Sequence, residues 1–139
     1  MLMVDKIVFI SPQEVHTEFY LDQSNIFIKK DHFSEIGLIE NAAQTCSAIS
    51  GQYFFDKDHF KNCSINPSVL GYISSIKKIK IHQLPKVNTF IETRAYLLSH
   101  SQGEQYSICV LKVIVCHEDT VFLEGELNLF LESKTYEKD

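Results

Sequence analysis

From Ser34 to Tyr53 the residues Ile36, Ile39, Ala43, Cys46, Ser50 and Tyr53 recur at steps of three and four. That period predicts one helix of about five turns, with Ser34 placed to act as its N-cap. The flanking segments are patterned differently. "KIVFI" puts Ile7 and Phe9 on one face, and "EVHTEFYL" and "NIFIK" follow it, separated by "SPQ" and "DQS". Alternation bounded by such turn chemistry reads as three short antiparallel strands. After the helix, "FFDKDHFKNCSINPSVLG" is a long polar connection containing Asn66-Pro67 and Gly71, expected to run over the surface. Three long strand patterns come next, "YISSIKKIKIHQ", "TFIETRAYLLSHS" and "QYSICVLKVIVCH", and Glu118-Asp119 leads into a fourth, "TVFLEGELNLFLE". The run Ile108 to Cys116 predicts a central strand covered on both sides, whereas "EGELNLFLE" predicts one wet face.

One helix and a set of antiparallel strands leave the helix as the only partner for the sheet's apolar face. The expected architecture is α+β, a curved sheet wrapped around one long helix. Ala42, Ala43, Ala48 and Gly51 let the sheet approach closely, and Ile36, Ile39 and Ile49 fill the remaining space. A chain of 139 residues is the size of one domain, taken here as residues 1–139.

The formal charge of −5 is the wrong sign for a surface that neutralises phosphates or coats anionic lipid, so nucleic acid and membrane are not expected partners. No stretch reaches the roughly 20 apolar residues of a membrane span, and "MLMVDKIVFI" lacks the features of a signal peptide; the expected location is cytoplasmic. Cys46, Cys63, Cys109 and Cys116 contain no C-x-x-C pair and read as reduced thiols. The six histidines do not form a metal-ligand spacing, so no metal is expected.

Packing does not account for Glu40. It lies four residues before Gln44, on the same helix face and beside the apolar stripe. "GLIENAAQT", preceded by "DHF" and followed by "LGYISSIKKIKIHQLPKVNTFIET", resembles the beta-hydroxyacyl-acyl carrier protein dehydratases of the FabZ-like type. The opening "LMVDKI" extends the resemblance over nearly the whole chain. The resemblance implies a hot-dog fold, a dimer that extends the sheet, acyl tunnels at the dimer interface, and dehydration of a 3-hydroxyacyl thioester without metal, nucleotide or other cofactor. It also implies roles for particular residues. Glu40 is the catalytic acid, Gln44 helps to orient it, and His32 in "DHF" is the catalytic histidine. Gly37 lies near the helix start, where free N–H groups can polarise a thioester carbonyl; with Asn41 and Gly71 it completes the expected substrate-binding set. The chemistry requires a base for the α-proton and an acid for the departing hydroxyl, which a histidine and a desolvated carboxyl can supply.

The sequence departs from the family pattern between these two groups. "DHFSEIG" has no proline, and His32 stands only eight residues before Glu40, a shorter tether than the family's proline- and glycine-bearing loop. Three readings stay open: a dehydratase acting on acyl thioesters of acyl carrier protein or coenzyme A, a hot-dog subunit that binds acyl chains or supplies half a site in a mixed dimer, and an acyl thioesterase. "IKKIKIHQ" puts Lys78, Lys80 and His82 on one strand face, which, like Lys29 and Lys30, is either a carrier-docking surface or a solvated one. Edge strands and apolar strand faces predict pairing into a homodimer or a larger assembly of dimers.

Overall fold

The computed structural model describes residues 2–51, 69–104 and 106–133. The elements run β1 (Lys6–Ile10), β2 (Glu14–Tyr20), β3 (Ile28–Lys29), β4 (His32–Phe33), α1 (Glu35–Gly51), β5 (Val69–Ile81), β6 (Phe90–Gln102), β7 (Tyr106–His117) and β8 (Thr120–Ser133). Six strands form one antiparallel sheet in the order β1-β2-β6-β7-β8-β5, and β3 and β4 form a separate small hairpin. The α1 helix lies across the sheet, against β6, β7, β2 and β8.

Alternation decides which side chains meet the helix. Val15, Thr17 and Phe19 of β2, Ile91, Thr93 and Ala95 of β6, and Leu111, Val113 and Val115 of β7 are buried on the inner face, and Leu123, Leu127 and Leu129 of β8 continue it. The register brings Leu111 opposite Leu127 and Val115 opposite Leu123, so apolar side chains stack row against row under α1. Irregular pairing between Ile76 and Lys78 of β5 bends the sheet beside Gly125. A Cβ on Gly125 would fall 2.2 Å from the Lys78 carbonyl oxygen, so this close approach of strands requires glycine.

Several expectations need correction. "NIFIK", expected as a short strand, holds one only at its end: two-residue β3 pairs with β4 in a hairpin separate from the main sheet. The buried side of α1 consists of Leu38, Asn41, Ala42, Thr45, Cys46 and Ile49, while Ile36 is 62% exposed and Ala43 is only half-buried. The stripe is rotated because the polar residues Asn41 and Thr45 face inward, where threonines on the sheet bond them. The β7 strand is covered on one side only within the chain, with Ile108, Val110 and Ile114 half-buried on the outer face. The polar connection lies mostly outside the described residues, as does Cys63, while Gly71 belongs to β5, opposite Leu131.

Both sheet edges keep apolar side chains in solvent. Ile7, Val8 and Phe9 are exposed on β1, and Ile76 is exposed on β5. Among the described residues no helix is long and apolar enough to cross a membrane.

Candidate active site

His32 is placed by backbone geometry. Lys30 and Asp31 take φ values of 49° and 69°, the left-handed pair of a two-residue hairpin turn, and the β3–β4 hairpin closes with Lys29 opposite His32. The hairpin is then stitched to the segment before β6. Val87 N–H donates to the Asp31 carbonyl at 2.9 Å, Phe33 N–H donates to the Pro85 carbonyl at 2.9 Å, and His32 bridges to Lys86. The His32 ring is also oriented, with Nδ1 3.1 Å from the Lys30 carbonyl oxygen. A carbonyl only accepts, so Nδ1 carries the proton, which leaves Nε2 as the acceptor nitrogen of the neutral imidazole.

Ser34 caps α1 as its position predicts. Its Oγ accepts from Gly37 N–H at 3.2 Å, and its own N–H donates to the Phe27 carbonyl at 2.9 Å. The Gly37 N–H, expected to polarise a thioester carbonyl, is therefore engaged by the cap. Gly37 also has a packing reason to be glycine, since a Cβ there would meet the Phe33 ring at 2.6 Å and the Phe27 Cβ at 2.9 Å. Phe33 is fully buried, which gives the ring little room to yield.

The polar residues around Glu40 separate into different roles. Asn41 is completely buried; its Nδ2 donates to the Met3 carbonyl at 2.6 Å, and its Oδ1 accepts from Thr93 Oγ1 at 2.5 Å. Gln44 Oε1 accepts from Met3 N–H at 2.6 Å. Thr45 and Thr17 share a hydrogen bond of 2.7 Å within the core. These bonds pin α1 to the sheet and to the segment before β1. Sequence reasoning singled out Asn41 and Gln44 but missed Met3, Thr17, Thr45 and Thr93. Alternation contained the signal, because Thr93 falls between Ile91 and Ala95 at spacing two and must point at the helix.

Glu40 is different: it is exposed, and exposed Ile36 stands one turn before it. His32 in β4 and Glu40 in the N-terminal half of α1 lie near each other in sequence, yet among the described residues no hydrogen bond or ion pair joins them. The lysines also divide. Lys78 and Lys80 stand opposite Glu126 and Glu124 on the outer sheet face, where His82 Nε2 contacts Glu124 Oε2 at 2.7 Å. Lys29 and Lys30 are exposed on the hairpin that carries His32.

The described cysteines, Cys46, Cys109 and Cys116, are buried and form no disulfide with one another. Burial, with Cys109 beside it, pushes the Cys46 thiol well above its ordinary range, which makes it a poor nucleophile. Among the described residues no group of three histidine, cysteine or acidic side chains is placed to hold a metal.

No protein-family model matches the sequence, and no curated protein matches it. Solved structures do. The dehydratase heterocomplex ApeI:P from Xenorhabdus doucetiae aligns over 96% of this chain and 84% of that one, at 20% identity and a TM-score of 0.74. The chain has the hot-dog fold. Other hot-dog proteins align nearly as fully. A thioesterase from Haemophilus influenzae covers 96% of this chain and 81% of its own, at 10% identity and a TM-score of 0.65. A hypothetical thioesterase from Streptococcus pneumoniae, solved with coenzyme A, covers 94% and 88%, at 11% identity and a TM-score of 0.63. At these identities the likeness is one of fold.

Proposed function

We propose that the chain is a subunit of a FabZ-like hot-dog dehydratase that removes water from a 3-hydroxyacyl thioester, at a site completed across a subunit interface. The observation that carries this reading is the contrast on α1. Asn41 and Gln44 are taken up by structural bonds, while Glu40, just before Asn41, and Ile36, one turn earlier, present an acid and an apolar side chain to solvent. Among the described residues no hydrogen bond or ion pair involves the Glu40 side chain.

In the proposed reaction His32 Nε2 takes the C2 proton of the substrate, made acidic by the adjacent thioester carbonyl. The C2–C3 double bond forms as the C3–O bond breaks, and the Glu40 carboxyl gives its proton to the departing hydroxyl. The products are an enoyl thioester and water, and transfer of the proton from His32 back to Glu40 through solvent restores both groups. A second subunit over the Ile36–Glu40 face would exclude water from the carboxyl, the condition under which such a group holds a proton. It would also meet the requirement left by the single chain, in which no hydrogen bond or ion pair joins His32 to Glu40.

Two other readings have support. The short tether of His32 and the likeness to a dehydratase heterocomplex favour a mixed dimer in which a different hot-dog subunit supplies the histidine. The thioesterase neighbours favour hydrolysis, with Glu40 activating water. One assay separates the three. Purified protein given 3-hydroxyacyl thioesters forms the conjugated enoyl product on the first reading, and Glu40→Gln and His32→Ala each lower turnover roughly 100-fold or more. Activity that appears only with an added hot-dog partner supports the mixed dimer. Release of free thiol without enoyl product supports the thioesterase.

A further inference from the structure

Met3 is completely buried, and α1 grips its backbone at both polar groups. The N–H donates to Gln44 Oε1 and the carbonyl accepts from Asn41 Nδ2, each at 2.6 Å. Asn41 follows Glu40 directly and Gln44 follows it by one turn, so both grips fall on the single helical turn that begins at the acid. The Met3 side chain reaches a different element, where its Sδ accepts from Asn25 Nδ2 at 3.8 Å. Asn25 organises the turn that leads into the hairpin: its N–H donates to the Asp22 carbonyl, its Oδ1 accepts from Phe27 N–H at 2.8 Å, and its carbonyl accepts from Ile28 N–H at 3.1 Å. Ile28 opens β3, which pairs with the strand carrying His32. Asp5 ties the segment to β2, donating its N–H to the Glu18 carbonyl and accepting from Tyr20 N–H on Oδ2 at 2.8 Å.

One short segment therefore touches the helix turn that holds Glu40, the turn that leads to His32, and the sheet. We infer that residues 2–5 form a positioning strap, and that Met3 and Gln44 set the placement of Glu40 relative to the His32 hairpin without themselves touching substrate. The inference rests on Glu40 and His32 being the proton-transfer groups. Its physical basis is the steep dependence of proton transfer on geometry, where a displacement of about 1 Å can cost roughly 100-fold in rate. The strap removes freedom at both places at once, since its side-chain sulfur and its backbone amide belong to the same buried residue. Gln44 thereby acts on Glu40 through the buried Met3 backbone, a route that the orienting role implied by the family resemblance does not specify. Its carbonyl oxygen is held by Met3, and the interaction needs only an acceptor at that position.

That requirement defines the test. Gln44→Met removes the acceptor, and Gln44→Glu keeps one while giving up the amide donor. Amide hydrogen exchange at Met3, Phe27 and Ile28 and steady-state kinetics on a 3-hydroxyacyl thioester are measured for both variants and for Glu40→Gln. Gln44→Met should speed exchange at all three amides and lower kcat by about tenfold or more with KM within about twofold, and Gln44→Glu should restore both. Met3→Leu, which keeps the backbone grips and loses the sulfur, should speed exchange at Phe27 and Ile28 while Met3 stays protected; it decides the matter should Gln44→Met not fold. Exchange unchanged at Phe27 and Ile28 overturns the strap. So does an unchanged kcat in Gln44→Met when Glu40→Gln abolishes turnover. A raised KM that Gln44→Glu does not rescue overturns it in favour of a substrate contact. If Glu40→Gln turns over like wild type, the dehydratase reading fails separately, and the exchange data alone decide whether the strap couples the two turns.

Discussion

Asn41→Leu is the perturbation that best separates a structural asparagine from a substrate ligand. Leucine has a similar volume but makes neither of the two bonds that Asn41 makes, to Thr93 Oγ1 at 2.5 Å and from Nδ2 to the Met3 carbonyl at 2.6 Å. Thr93 and Met3 are both fully buried, so a polar group on each is left without its partner. Each stranded group costs about 1–3 kcal/mol, and the newly buried apolar side chain offsets about 1–2 kcal/mol of the total. The net loss spans about 0–5 kcal/mol and centres on about 2.5 kcal/mol, a large share of the 5–15 kcal/mol typical of a domain. Urea denaturation followed by fluorescence or circular dichroism reads it, because with m near 1–3 kcal/mol/M a loss of this size lowers the midpoint by roughly 1 M. Thr93→Val added to Asn41→Leu removes one of the stranded groups. The double variant should therefore lose about 1 kcal/mol less than the sum of the singles, while Glu40→Gln, on an exposed residue, stays within about 0.5 kcal/mol of wild type. A cost for Asn41→Leu below about 0.5 kcal/mol, or strict additivity with Thr93→Val, would refute the buried network.

Ala42→Leu inserts three heavy atoms at a fully buried position and should cost about 1–3 kcal/mol by overpacking, measured by denaturant midpoint, whereas the half-buried Ala43 should tolerate the same change better. Gly37→Ala places a Cβ against the buried Phe33 ring and should cost a similar 1–3 kcal/mol or so, with the loss relieved by Phe33→Leu in the same chain. His82 holds the Glu124 carboxyl below its usual range, chiefly through their hydrogen bond. A depressed carboxylate contributes stability above its unfolded pKa and loses it as pH falls through the folded value. An NMR titration of His82→Ala should accordingly show Glu124 titrating at higher pH than in wild type, and an unshifted titration would deny the bond.

The elements were legible where a period was sustained. Long alternating runs located β5 to β8, and the change to steps of three and four located α1, because those periods directly set which side chains share a face. The face of α1 was misjudged for a specific reason. The predicted stripe followed Ile36, Ile39, Ala43 and Cys46 and gave no place in the core to Asn41 and Thr45, whereas Thr93, Thr17 and the Met3 backbone provide partners that make burial of the polar pair tolerable. Such partners lie far away in sequence, and no local pattern announces them. In "NIFIK" alternation placed a short strand, but Asn25 bonds its first residues into a turn, and the left-handed Lys30-Asp31 pair folds the remaining two back on β4 instead of into the main sheet. Of the candidate site, the positions of His32 and Glu40 near the start of α1 could be expected from sequence. Their lack of contact within one chain and the structural use of Asn41 and Gln44 required three-dimensional packing.

Subunit complementation tests most directly the claim that Glu40 and His32 act together across an interface. Glu40→Gln and His32→Ala, each purified, are assayed alone for enoyl thioester formation, then denatured together, refolded and assayed as a mixture. If the site takes its histidine from one chain and its acid from another, each variant alone is nearly inactive, and the mixture recovers about a quarter of wild-type turnover. Half the dimers are then mixed, and each of those has one intact site. A mixture that stays as inactive as its components, or a Glu40→Gln protein that turns over like wild type on its own, would contradict the account.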